Sequence, residues 1–210
     1  MGETTLVLTT DRQPRYREAP RMLAPDRMSE AEVAVRFAQH LLGLPRAERT
    51  VDVAIDGAGV EVGGSIIFRL ADFLEELGWK QVEQRGKNMW SGTYMRDGFQ
   101  MKIHSRSGVG DVVGQVAGRR IIAECKKGPL VKRPGSPEYP LLTTAIGQAL
   151  LTKSEVDDVL VAAVPDSPAF RRIAADWRLR PGVQRSGIRI CLVGRQGSVT
   201  GLEDAFDPAP

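Results

Sequence analysis

The alternation of apolar and polar residues marks out most of the chain. Val33, Phe37, Leu41 and Leu44 recur at helical spacing behind Ser29 and Glu32, a capping-box pair, with Met28 and Val33 placed as a hydrophobic staple; this predicts a helix over 30–43. VDVAIDGAGVEV, residues 51–62, alternates with period 2 around Asp56-Gly57 and predicts a short hairpin or two short strands, with Asp52, Asp56 and Glu61 on the solvated face. Ile66, Ile67, Leu70, Phe73, Leu74 and Leu77, stopped by Gly78, predict a helix over 65–77. A strand is expected at 79–85, a Gly-rich polar loop at 86–98, and a strand at 99–105. Residues 111–116 and 120–126 form two strands around the Ala117-Gly118 turn, an antiparallel hairpin.

After a Pro-rich basic loop, residues 141–153 read as a helix and 159–164 as a central strand. Ser167-Pro168 starts a helix through Trp177, and 188–193 is the last core strand. This order predicts a three-layer α/β fold whose central mixed β-sheet is flanked by helices, with an N-terminal helical extension. The expected organisation is an arm, helix and hairpin over 1–62, a core over 63–196 and a tail over 197–210.

Composition narrows the class. With 210 residues, 42% hydrophobic and 26% charged, the chain reads as a soluble globular protein with one sizeable core. No apolar run reaches membrane-spanning length, and the N-terminus lacks the marks of a signal peptide. Two cysteines in apolar strands read as reduced thiols, so a cytoplasmic location is expected. A net charge of +3 permits nucleic acid without demanding it. Arg dominates the cations, yet three of the seven Lys, at 126, 127 and 132, gather after one strand.

That strand carries the chemistry. Glu124 and Lys126 interrupt an apolar segment two residues apart and are therefore aimed to one side. Pairing across the 117–118 turn brings Asp111 to Glu124, so two carboxylates and an ammonium converge at one end of the sheet. Asp111, Glu124 and the Cys125 carbonyl offer the hard oxygens that Mg²⁺ (or Mn²⁺) takes, with Lys126 beside them to stabilise charge on a phosphoryl group.

Asp111 followed by Glu124-Cys125-Lys126 resembles the motif of the PD-(D/E)XK nuclease superfamily, with its restriction-endonuclease-like fold, over roughly residues 64–195. Gly110 stands where that motif often has Pro. The resemblance implies that Asp111 and Glu124 bind Mg²⁺ and Lys126 assists the attacking water. It also implies that Gln148, inside the following helix, faces the site, and it offers Glu76 as an extra acid.

The expected function is a metal-dependent DNA endonuclease. Arg85, Lys87, Lys102, Arg106, Lys127, Lys132 and Arg133 would bind nucleic acid. A homodimer joined through the first helix would cut both strands. The alternative is a protein of the same fold that binds nucleic acid or takes part in an assembly without cutting. His40 is placed on the surface. His104 stands near the site, as a participant or an incidental polar group, and Trp90 and Tyr94 either stack on bases or pack back on the core.

Overall fold

A computed structural model describes residues 27–62, 64–106, 108–130 and 137–206. Helix α1 (Glu30–Leu42) starts at Ser29, whose hydroxyl accepts the Glu32 amide at 3.0 Å. Only half of the capping box forms, because the Glu32 carboxylate accepts instead from Arg36 Nε at 3.0 Å and Arg195 Nε at 3.2 Å. Both staple residues, Met28 and Val33, are fully buried. Strands β1 (Thr50–Ala54), β2 (Gly59–Val62) and β3 (Ser65–Arg69) follow, then α2 (Leu70–Glu76), β4 (Lys80–Gln84), β5 (Gly92–Arg96) and β6 (Phe99–His104). The hairpin β7 (Val112–Val116) and β8 (Arg119–Cys125) leads to α3 (Glu138–Leu151), β9 (Val159–Pro165), α4 (Pro168–Arg178), α5 (Pro181–Ser186), β10 (Arg189–Val193) and β11 (Val199–Thr200). A 3₁₀ turn covers Glu203–Phe206.

Nine strands form one mixed sheet in the order β11-β10-β9-β8-β7-β1-β6-β5-β4, and β2 pairs β3 in a separate ribbon. Successive residues of β9 and β10 serve opposite faces, as the period of 2 requires. Val161, Ala163, Cys191 and Val193 join the core under α1, whereas Ala162, Val164, Ile190 and Leu192 pack with α3 and α4. Helices therefore cover both faces of the sheet. No helix among the described residues is long and apolar enough to cross a membrane.

Three expectations change. Of the two readings of residues 51–62, the structure has two short strands and no hairpin between them: β1 inserts into the large sheet, parallel to β6 and antiparallel to β7, while β2 turns to β3. The first half of the expected helix at 65–77 is therefore strand, since Ile66 and Ile67 suit a ribbon as well as a helix turn. The loop at 86–98 contains β5, where Gly92 lies so close to the Glu83 carbonyl that a Cβ would collide with it. Helix α1 is also no outlying extension. Nine of its 13 residues are buried against the sheet, which leaves no free apolar face on it for a dimer contact.

The directions of the strands locate the site. Strands β1, β6, β8, β9 and β10 all run the same way, and β7 opposes them. Their carboxyl ends, together with the start of β7, share one end of the sheet, where open α/β sheets place their ligands.

Candidate active site

Asp111 is fixed at that end by backbone bonds on both sides. Its amide donates to the Ala123 carbonyl at 2.9 Å, and its carbonyl accepts from the Ala54 amide at 2.8 Å. Its side chain turns to β8, where Oδ2 accepts the Cys125 amide at 2.7 Å. Because Val112 pairs with Ala123, Asp111 falls next to Glu124. Glu124 is itself buried, and its Oε1 lies 3.0 Å from the Thr152 hydroxyl at the end of α3. That hydroxyl is equally 3.0 Å from the Gln148 carbonyl, so its single proton serves one or the other.

Lys126 follows the last residue of β8. Its amide still donates to Ala163, but its ammonium reaches toward α1, donating to Glu30 Oε1 at 2.9 Å and standing 3.8 Å from Asp111 Oδ2. The partners of the ammonium are thus Glu30 and Asp111 rather than Glu124. Glu30 is the site residue that the sequence reading missed. The signal for it was its position, first in a capped helix, but nothing local shows that this helix end meets β8. Glu76, offered as the extra acid, is exposed on α2.

The electrostatics follow from this crowding. Burial pushes the Asp111 carboxyl up to about 7, and the charges of Glu124 and Glu30 add to that, against the opposing pull of the Cys125 amide and Lys126. For Lys126, burial disfavours the charge, but the hydrogen bond and charge of Glu30, with Asp111, outweigh it and raise the pKa. Lys126 is accordingly a fixed ammonium. Burial holds the Cys125 thiol well above its usual range, so the Cys125 sulfur stays protonated and only its backbone faces the chemistry.

Glu30 and Asp111 meet the Lys126 ammonium and Glu124 stands beside Asp111, so acids outnumber the cation in this partly buried place. Two adjacent carboxylates with free oxygens suit Mg²⁺, which binds through one or two carboxylates, phosphate and waters. Among the described residues no group of three His, Cys, Asp or Glu converges as a ready cation cage. A cavity of about 420 Å³ opens beside Asp111 and Glu30, and Asp56, Glu61 and Lys127 also line it.

The remaining predicted residues fall as follows. Arg85, Lys87, Lys102 and Arg106 line one smaller cavity together with His104, at the same end of the sheet. Lys132 and Arg133 lie outside the described residues. Gln148 is exposed, and its recorded contact with the site is through its main-chain carbonyl. Tyr94 is buried and donates to the Trp90 carbonyl at 2.9 Å, while Trp90 packs partly on the core, so these aromatics turn inward. A larger hollow of about 460 Å³, lined by Arg178, Arg189 and Glu203, lies at the opposite end of the sheet.

Comparison with protein-family models, with curated proteins and with solved structures gave no match.

Two expected results arise here. Gly110 adopts φ +114, and a Cβ there would stand 2.6 Å from Ile122 Cγ2 and 3.3 Å from the Ala123 carbonyl. Proline, held near φ −65°, cannot take this backbone, which accounts for glycine at this position. Gly110→Ala should cost about 2–4 kcal/mol of stability, read as a lower urea midpoint; an unchanged midpoint would refute the crowding.

The second result concerns pH. Asp111 binds its proton more tightly folded than unfolded, so its contribution favours the native state below about pH 4 and is lost as pH rises through about 7. In EDTA the stability of the wild type should fall across that window by something of order 2–4 kcal/mol relative to Asp111→Asn. Parallel stability curves for the two proteins would contradict it.

Proposed function

We propose that the protein is a divalent-metal-dependent nuclease of the PD-(D/E)XK kind, hydrolysing phosphodiester bonds in DNA. The observation that carries this reading is the meeting of Asp111, Glu124 and Lys126: an acid fixed on the Cys125 amide, its neighbour across the hairpin, and an ammonium 3.8 Å from the first.

In this reading Asp111, Glu124 and the Cys125 carbonyl would hold Mg²⁺ or Mn²⁺, which when bound supplies a more acidic water and a polarised phosphate. The chain's own groups do the rest. Raised as it is, Lys126 does not serve as a proton acceptor. Glu30 takes one of its three donors, and the others are available to the attacking water or to the phosphoryl oxygens as charge builds on them. Glu30 is a positioning residue that aims the ammonium. The Cys125 amide and the bond from Ala54 fix Asp111 before substrate arrives, and Glu124 stands 3.0 Å from the Thr152 hydroxyl. One such site cuts one strand, so cleavage of a duplex by a homodimer belongs to the same proposal.

A second reading, a protein that binds nucleic acid or joins an assembly without cutting, has one observation in its favour. The 2.9 Å pair between Lys126 and Glu30 is also what a purely structural lysine makes. Incubation with plasmid, linear and branched DNA and with RNA, in Mg²⁺, Mn²⁺ or EDTA, separates the two. Metal-dependent scission of DNA that EDTA stops is expected. Binding without scission across the whole panel would replace the first reading by the second.

A further inference from the structure

Four cations from separate stretches converge on one cavity of about 200 Å³ on the β5–β6 side of the sheet. Arg85 follows β4, Lys87 stands in the connection to β5, Lys102 lies on β6 and Arg106 comes just after it. Asp52 is the one carboxylate lining the cavity among the described residues. Arg85 is bridged to Glu83 at 2.8 Å, whereas Lys87, Lys102 and Arg106 are in none of the ion pairs among the described residues. Cations gathered in this way repel one another, and an anion of more than one charge relieves them.

We propose that this cavity is a pocket for a phosphate monoester, the phosphorylated end of the DNA strand that the protein holds. The inference deepens the nuclease reading and rests on it for the identity of the polymer. Size argues for the ligand. The cavity is below the roughly 300–1,000 Å³ of pockets that enclose a whole drug-sized molecule, so it suits a phosphate with its first waters rather than a nucleotide.

Charge argues for the same ligand. A terminal phosphate carries about −1.5 to −2 at pH 7, as phosphorylated side chains do, against one charge for a phosphate inside the chain. Asn88, Ser91 and Ser105 also line the cavity, and the Asn88 amide nitrogen stands 3.5 Å from the Ser105 hydroxyl.

Position adds a measurable consequence. The pocket sits two to three strands from β7 along the same end of the sheet. At about 4.8 Å per strand that is roughly 10–15 Å from Asp111. It corresponds to about three or four stacked nucleotides at about 3.4 Å each. Cuts near a phosphorylated end should therefore leave a short product of that length.

The test is binding of the full chain in EDTA, where no cutting interferes, followed by fluorescence anisotropy. The DNAs share one sequence and carry a 5′-phosphate, a 3′-phosphate or hydroxyls at both ends; inorganic phosphate and a mononucleotide serve as competitors. A phosphorylated end should bind about tenfold tighter than a hydroxyl end. Lys102→Gln with Arg106→Gln should bring the two to one affinity, and Lys87→Gln with Arg106→Gln provides the same reading if the first pair misfolds by circular dichroism.

Equal affinities in the unaltered protein, or a preference that survives both pairs, would overturn the pocket. Competition by inorganic phosphate or the mononucleotide as strong as by the phosphorylated strand would assign the pocket to a small phosphate and overturn the DNA end. A protein that prefers phosphorylated ends yet cuts nothing fails the nuclease reading alone. One that cuts without any end preference fails this inference alone.

Discussion

Asp111→Asn and Glu124→Gln, each made alone, are expected to lower Mg²⁺-dependent DNA cleavage by about 10³-fold or more, a change in barrier of at least about 4 kcal/mol. Each amide keeps the volume of the acid and loses the charge that holds a cation. The fold should survive both changes. In Asp111→Asn the side-chain oxygen can still accept from the Cys125 amide, and in Glu124→Gln it can still meet the Thr152 hydroxyl, so the anchoring bonds have replacements. In EDTA, Asp111→Asn should melt at or above the wild-type temperature at pH 8, because it removes one of three acids that crowd a buried place. Cleavage at the wild-type rate in either variant would end the assignment of a metal to these acids.

Lys126→Ala should slow cleavage by about 10²–10³-fold while binding of Mg²⁺ and DNA remains, since the lost donor acts on charge that develops in the transition state. The structural alternative forecasts the opposite division. If the bond to Glu30 were its whole role, Lys126→Ala would lower the melting temperature and leave the rate alone. Lys126→Arg separates the readings again. Its planar fork keeps the charge and can hold Glu30, but it cannot place a compact donor where Nζ stands. It should be nearly as slow as Lys126→Ala, and wild-type turnover in it would remove any specific task for the ammonium. Glu30→Gln completes the set. It removes the main group that raises Lys126, so the alkaline limb of the rate profile should move to lower pH.

The acid pair was legible in the sequence because a hairpin turn fixes the register by itself. Ala117-Gly118 leaves little choice about which residue of β7 meets which residue of β8, and Asp111 follows from counting. Lys126 was half legible. Alternation predicts its side while the strand lasts, but β8 ends at Cys125 and the side chain then follows the nearest carboxylate, on a helix 96 residues earlier in the chain.

The other differences share one cause. Ile66 and Ile67 satisfy helical spacing and strand pairing equally, and only the presence of β2 alongside decides between them. Tyr94 sits in a Gly-rich, polar stretch that reads as loop, yet β4 and β6 on either side make it a strand. Local pattern reports what a segment can become, and non-local partners choose. The four cations of the phosphate cavity were named from charge alone, and their convergence became visible only when β4, β5 and β6 were laid side by side.

The bond from the Ala54 amide to the Asp111 carbonyl gives the chain an unusual itinerary. Residues 55–110 build the β2–β3 ribbon, α2 and the sheet strands β4, β5 and β6 before the chain returns to β7 beside β1, and all four cations of the proposed phosphate cavity lie within that stretch. The acids and the ammonium lie outside it or at its closing point. Leu70, Leu74, Met101 and Ile103 of that stretch are buried in the core, so burial as well as the bond from Ala54 holds it to the frame. Under the proposed function, the groups that would grip the substrate and those that would cut it therefore stand on separate stretches of the chain.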